Sequence, residues 1–424
     1  MRTGATSPLS ILLLQIIVII VAARSCAAIF RRIGQPPVMG EIVAGLLLGP
    51  SVLGQLAPSV MAFLFPATSL GTLGVLSQLG VVLFMFVVGM ELDVEHLRRR
   101  ATAAIVVSHT SIVVPFLLGA ALALFLYEAL APASVRFVSF ALFLGIAMSI
   151  TAFPVLARIL EDRRLQDTPL GSMAITCAAV DDVTAWCGLA VVIAIANSTG
   201  VSGALMAIGL TLCFIAIMLF LIRPRLNRFV ALRVAQSRQT KSLLAVVLAF
   251  VFACAWLTES IGIHALFGAF LAGVVMPSVA GVRSFVKEKF EAFGSVALLP
   301  LFFAFTGLRT EIRLLNDWLG WVMCLAIVVV AVAGKLGGSM LAARWAHLSW
   351  RDSFGLGVLM NTRGLVELVV LNIGYDLGIL SARIFVMLVI TALATTLMTA
   401  PLLSLAKIKN LDAMGLSRGT NDGC

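Results

Sequence analysis

Charge is what this sequence has least of. Only 12% of its 424 residues are Asp, Glu, Lys or Arg, against about 25% in an ordinary soluble domain. Hydrophobic residues make up 61%, and the mean hydropathy is +1.10. Such a chain cannot cover a globule with charge, which excludes a soluble enzyme, a disordered protein and a coiled coil. CxxC pairs are also absent. The seven cysteines, at 26, 177, 187, 213, 254, 324 and 424, lie mostly inside apolar runs and read as small buried thiols, with neither a disulfide framework nor a metal centre. The net charge of +10 does not imply nucleic acid, because in a membrane-embedded chain the side on which the basic residues sit carries the information.

Apolar stretches alternate with short polar breaks. They predict an all-α polytopic membrane protein of thirteen spans, at about 9–30, 37–56, 69–92, 101–126, 135–160, 170–196, 201–222, 242–259, 262–280, 294–308, 318–346, 352–375 and 382–407. Each is sized against the roughly 20 residues a bilayer requires. The first run is too long for a cleaved signal peptide. Arg2 is its only basic flank, and no small-residue cleavage site precedes Arg24. Loops on one side, together with a C-terminal tail over 408–424, carry 23 Lys and Arg; the other side carries five: Arg2, Arg136, Arg309, Arg313 and Arg383. That asymmetry places the N-terminus outside and the C-terminus in the cytoplasm of a cell membrane.

The sequence also resembles itself. Gly34, Gly40, Ala44 and Gly45 recur as Gly262, Gly268, Ala272 and Gly273; Leu83, Phe84 and Gly89 recur as Leu301, Phe302 and Gly307; Leu144, Gly145 and Met148 recur as Leu356, Gly357 and Met360. The offsets are 228, 218 and 212, in the same order along the chain. Span two matches span nine, an odd number of spans later, so the halves are inverted. The expected plan is a single transmembrane domain. It comprises repeat one (about 9–196), a linker helix (about 201–222) and repeat two (about 242–407). Inverted repeats mark secondary transporters whose ion sites lie at discontinuous helices. Two segments at matching places can break a helix: Ser149 to Pro154, where the proline lacks a backbone donor, and Asn361 to Gly364. The alternative is a kinked but continuous helix.

Ionisable groups inside a span are costly and point to function. Glu41, Asp181, Asp182, Lys335, Arg363 and Glu367 lie deep in apolar runs; His109 and His264 are weaker candidates, His264 reading as a packed residue near a helix start. Asp181 and Asp182 are adjacent, so on a helix they point about 100° apart and serve different partners. Carboxylate oxygens suit both monovalent cations and protons, and a site that holds one or the other, but not both, suffices for coupled exchange when it opens alternately to each side. Lys335, among Gly334, Gly337 and Gly338, is too deep to snorkel and needs a counter-ion; one of the two aspartates is the natural one, and a purely structural ion pair is the competing reading. Its repeat mate is Leu117, and those of the aspartates are Leu393 and Ala394, so the charges break the symmetry. Arg363 and Glu367, four apart, suit a mutual ion pair. Glu41 either lines a cavity or steadies the Gly-rich second span.

Three segments carry a resemblance to a known family: GQPPVMGEIVAGLLLGPSVLG over 34–54, the Asp181–Asp182 pair, and MNTRGLVELVVLNIG over 360–374. Together they resemble the monovalent cation:proton antiporter-2 family, and the last is similar to plant cation/proton exchangers. The resemblance covers essentially the whole chain. It implies a sodium/proton antiporter-like fold in which two broken helices cross at mid-membrane. A transport domain would sit beside a dimerisation domain, moving by an elevator-like shift in a homodimer. It further implies Asp182 as the main ion- and proton-binding carboxylate (the ligand of Na+ or K+), Asp181 as the exchangeable partner of Lys335, and Thr151 beside the site. Asn361, Arg363, Glu367 and Glu41 would be auxiliary. Transport in such relatives is usually electrogenic. Kef-type relatives carry a nucleotide-binding domain after the last span, and about seventeen residues follow 407 here, so that regulation is expected to be missing. Arg363 stands where plant relatives often have lysine.

The expectation is therefore a cation:proton antiporter rather than an enzyme. It needs no cofactor beyond the transported ions, and its partners are monovalent cations, protons and lipid. Two other classes of protein place ionisable residues in the membrane. A cation channel would need a filter, and no TVGYG-like run occurs. An intramembrane aspartyl protease needs two aspartates converging on one proton, which neighbours on one helix cannot do.

Overall fold

The computed structural model describes residues 7–91, 101–166, 168–197, 201–228, 240–262, 264–277, 281–294 and 298–406. The basic loops at 92–100 and 229–239 and the tail at 408–424 lie outside these. Among the described residues every regular element is a helix.

The first half comprises α1 (Pro8–Arg32), α2 (Pro37–Leu48), two short helices α3 (Leu53–Leu56) and α4 (Pro58–Leu64), α5 (Ala67–Glu91), α6 (Ala101–Leu130), α7 (Phe137–Ser149), α8 (Phe153–Asp162) and α9 (Pro169–Asn197). Helix α10 (Val201–Ala216) continues into a π-turn over Ile217–Ile222. The second half comprises α11 (Thr240–Ile261), α12 (Ala265–Val274), α13 (Val282–Phe293), α14 (Leu299–Leu308), α15 (Trp318–Val332), a π-turn at Ala333–Gly337, α16 (Gly338–Trp345), α17 (Trp350–Met360), α18 (Leu365–Asp376) and α19 (Ala382–Leu405).

Among the described residues ten stretches are long and apolar enough to cross a membrane, or eleven when the bent pair α17–α18 counts as one. The ninth and tenth expected spans correspond to α12 and α14, of 10 residues each; residues 263, 278–280 and 295–297, which fall within these expected spans, lie outside the described residues. The second span runs over Pro37–Leu56 as expected, with a break inside it: α2 stops at Leu48, where Gly49 adopts an extended conformation and Pro50 follows.

The helices sort into two bundles. Helices α1, α2, α5, α11, α12 and α14 pack mainly on one another, and so do α6 to α9 and α15 to α19; α10 touches α9 and α11 and so links the two. We call these the frame bundle and the site bundle. Within the frame, helices cross at glycines. A Cβ on Gly45 would strike the Phe303 carbonyl, one on Gly307 the Gly45 backbone, one on Gly89 the Phe270 carbonyl, and one on Gly273 the Phe86 carbonyl. Glycine permits backbone-to-backbone contact, the usual means of helix association where lipid removes the hydrophobic drive. Gly273→Ala should therefore destabilise the protein by about 1–3 kcal/mol through overpacking. Gly71→Ala on α5, with open space around it, should not. The thermal midpoint of detergent-solubilised protein measures both.

Candidate functional site

The site is built where two interrupted helices meet. Helix α7 ends at Ser149, the chain runs extended through Ile150 to Ala152, and α8 starts at Phe153 with Pro154 in its first turn. Pro154 thus opens the second half-helix, where its missing N–H is harmless; the extended residues lie just before it. The partner break separates α17 from α18 at Asn361 to Gly364, with a bend of 42°. The two breaks are tied together. The amide of Ala152 donates to the carbonyl of Thr362 (2.9 Å), and Thr151 Oγ1 lies 3.1 Å from the Met360 carbonyl.

A broken helix exposes its last carbonyls, which carry the negative end of the helix dipole. Cations from the second half take them. Arg363 donates to the carbonyls of Ala147 (2.8 Å) and Met148 (2.7 Å). Lys335 donates to that of Ser149 (2.5 Å). Arg363 also pairs with Glu367 at 2.6 Å, both side chains fully buried, and its backbone N–H donates to Thr396 Oγ1 (2.9 Å).

Asp181 sits opposite, on α9, and both its oxygens are engaged. Its Oδ1 accepts from Ser108 Oγ (2.6 Å). Its Oδ2 accepts from Ser111 Oγ (2.8 Å) and pairs with Lys335 Nζ at 2.8 Å. Thr151 Oγ1 is 2.9 Å from the same oxygen. Lys335 completes its set with the carbonyl and hydroxyl of Ser111, each at 3.0 Å. The lysine rides on the π-turn Ala333–Gly337. π-bulges within helices frequently occur at functional sites.

Asp182 is the opposite case. It is as deeply buried as Asp181, with no exposed surface, and neither carboxylate oxygen has a hydrogen-bond partner. Buried polar groups are nearly always paired, so a fully buried carboxyl with neither oxygen hydrogen-bonded stands apart from its neighbour. Asp181 and Asp182 share a helix and a depth but differ wholly in partners, as their angular separation requires.

The structure thus brings Asp181, Lys335 and Thr151 into direct contact and joins Arg363 to Glu367 at the same crossing. It does not bring Glu41 there: Glu41 lies on α2 in the frame, 3.7 Å from Arg24 and nearly buried. Asn361 lies in the break, its amide 3.7 Å from Met398 Sδ and its Oδ1 unpartnered. His264 caps the start of α12, its Nδ1 accepting from the Leu266 amide at 3.4 Å, and His109 is exposed on α6. Ser108 and Ser111 were not foreseen; the available signal was two hydroxyls three apart, hence on one face, in an apolar run. Among the described residues no three His, Cys, Asp or Glu side chains converge as a metal centre.

Residues 17–405 match the model of a family described as sodium/hydrogen exchanger, transmembrane. The chain is 43% identical over 398 residues to the Na+/H+ antiporter NhaS4 of Synechocystis sp., covering 94% of this chain and 97% of that protein. It is 38% identical over 396 residues to cation/H+ antiporter 17 of Arabidopsis thaliana (93% and 48% covered). Against K+/H+ antiporter 1 of Saccharomyces cerevisiae, identity is 32% over 411 residues (95% and 47%). The chain spans about half the length of the plant and yeast relatives. In architecture it is similar to the sodium proton antiporter MjNhaP1 of Methanocaldococcus jannaschii, with a TM-score of 0.66 at 13% identity, covering 94% of this chain and 99% of that one; this likeness concerns the fold. With a family match across nearly the whole chain and relatives of such identity, this multi-pass membrane protein belongs to the transmembrane sodium/hydrogen exchanger family.

Proposed function

We propose that this protein is a secondary active transporter that exchanges monovalent cations, Na+ or K+, for protons by alternating access at Asp182. It is a transporter rather than an enzyme, as are its relatives. The observation that carries the reading is the contrast between the two aspartates: Asp181 is held by four polar side chains, while Asp182 is sealed from solvent with neither oxygen hydrogen-bonded. An isolated carboxylate in an apolar interior is untenable as a bare charge. It takes up a proton or a cation, and the two compete for one position. Site-bundle movement past the frame would carry that choice between the two sides.

The thirteen-span, six-plus-one-plus-six inverted plan has support in the frame crossings. The offset of 228 carries Gly45 to Gly273, Gly40 to Gly268 and Cys26 to Cys254; the offset of 218 carries Gly89 to Gly307. Gly45 abuts Gly307 as Gly273 abuts Gly89, and Gly40 abuts the Cys26 backbone as Gly268 abuts that of Cys254. Contacts that repeat under the repeat operator are what two inverted copies would produce. The charge sorting favours a cell-membrane orientation with the N-terminus outside, and we infer a homodimer in which the frame bundle supplies the interface.

Purified protein in sealed vesicles tests the function. Na+, K+, Rb+ and Li+ gradients should each be compared for their ability to drive proton counterflow, with and without an imposed potential. Alkali-ion flux with no counterflow of acid would favour a channel and defeat the proposal. Electrogenic exchange would draw about 2.3 kcal/mol per net charge per 100 mV. We assign Lys335 to that charge movement through its bond to Asp181. Lys335→Ala should slow exchange and remove its acceleration by an imposed potential. An unchanged voltage response would leave the lysine a purely structural role.

A further inference from the structure

We propose that Arg309 is the outer gate of the ion path, and that the small cavity beneath it is the outward half of that path, held shut in this state. The inference rests on the exchange reading for its purpose but not for its geometry.

Helix α14 of the frame and α18 of the site bundle meet at the end of the molecule assigned to the outer side. Few polar side-chain contacts join the bundles, and three are here. Arg309 pairs with Asp376 at 2.6 Å, also lies 3.3 Å from Asn372 Oδ1, and Asn372 Nδ2 donates to Thr306 Oγ1 at 2.9 Å. The guanidinium lies over the ring of Phe305 (4.1 Å) and near that of Tyr375 (5.6 Å).

Behind these contacts is a cavity of about 30 Å³ on the boundary between the bundles. Ser77, Gln78 and His264 line it from the frame, and Asn372 and Asp376 from the site bundle. That is room for about one water or one desolvated ion. Most of its lining is apolar, and Ser77, Gln78, His264, Asn372 and Asp376 set polar groups into that apolar wall. Ser77 lies about ten residues into α5, is completely buried, and its hydroxyl has no partner. A wholly buried hydroxyl left open beside the cavity is placed to meet a passing ion or water. A larger cavity of about 350 Å³ lies against the same wall, lined by Leu70, Gly71 and Gly74. Gln78, Phe305 and Arg309 line both cavities, so these three side chains form the partition.

The chemistry suits a gate for cations. Shut, Arg309 and Asp376 neutralise each other, so the mouth offers a cation neither room nor a free carboxylate. Parting α14 from α18 breaks the Arg309–Asp376 and Thr306–Asn372 contacts. The stack on Phe305 survives, because Phe305 is four residues away on the same helix and parks the guanidinium to one side. Asp376 is then left unpaired at the mouth, where it attracts the ions that the closed gate had excluded.

Two measurements test this. In a Thr306→Cys, Asn372→Cys double variant, exchange is compared before and after joining the pair with a short reducible bis-thiol cross-linker, with wild type treated alike. Cross-linking should take exchange to the level of empty vesicles, and reductant should restore it. Exchange at the unlinked rate in fully linked protein would overturn the gate. The second readout needs no transport, so it separates failure of the gate from failure of the exchange reading. A small membrane-impermeant methanethiosulfonate applied from outside should label Ser77→Cys about tenfold faster when Asp376→Asn is also present. Equal labelling rates, with or without that second change, would overturn the proposal.

Discussion

Asp182→Asn protein in proteoliposomes should produce no more cation-driven pH change than empty vesicles. The amide occupies the same volume, so the helix and its packing persist. It can neither bind a proton in the physiological range nor neutralise a cation. An amide also satisfies itself differently: it brings two donors into a position where the carboxylate offered only acceptors. Asp182→Glu is the informative companion. It keeps the charge but advances it by one methylene into a closed interior, and should retain partial exchange with altered preference among Na+, K+, Rb+ and Li+. Full exchange by Asp182→Asn would remove the shared-site mechanism, because the other buried carboxylates among the described residues, Glu41, Asp181 and Glu367, each already lie beside a basic side chain.

Arg363→Gln carries the largest expected loss of stability. It strips two carbonyls at the end of α7 of their donors and leaves Glu367 as a buried charge without its partner. Breaking a buried pair from one side costs about 3–5 kcal/mol. The double variant Arg363→Gln, Glu367→Gln removes both charges and should recover a substantial part of that loss, since it is the orphaned carboxylate that is expensive rather than the missing bond. Arg363→Lys should fall between the two, because an ammonium cannot reach two successive carbonyls as a planar fork does. Thermal midpoints of the solubilised proteins order the series. A double variant less stable than Arg363→Gln alone would show that the pair contributes more than it relieves.

Much of this architecture was legible because a bilayer is a simple solvent. Apolar runs of span length stand out, and charges inside them are conspicuous, so Asp181, Lys335, Arg363 and Glu367 could be picked out from composition alone. Their mutual distances follow from a requirement, that a buried charge finds an opposite one. The breaks in α7–α8 and α17–α18 were legible from proline, glycine and a repeated position. What escaped notice depends on three-dimensional detail. Ser108 and Ser111 look like any hydroxyls in a membrane helix, and only the approach of α6 to α9 makes them ligands of Asp181. The π-turn under Lys335 adds one residue to a turn, with no composition that announces it. Glu41 was grouped with the other buried charges on depth alone, and depth does not reveal which bundle a helix joins.

The glycine crossings of the frame have a mechanical consequence. Where α2 meets α14 and α5 meets α12, main chain rests on main chain with no side chain between to change rotamer or act as a bearing. Such junctions do not slide: a translation of even a few tenths of an ångström forces carbonyl into Cα. In the proposed exchange cycle the frame would then serve as a stator, and the stroke would fall to the helices around Asp182, which meet it through side-chain contacts such as Arg309–Asp376.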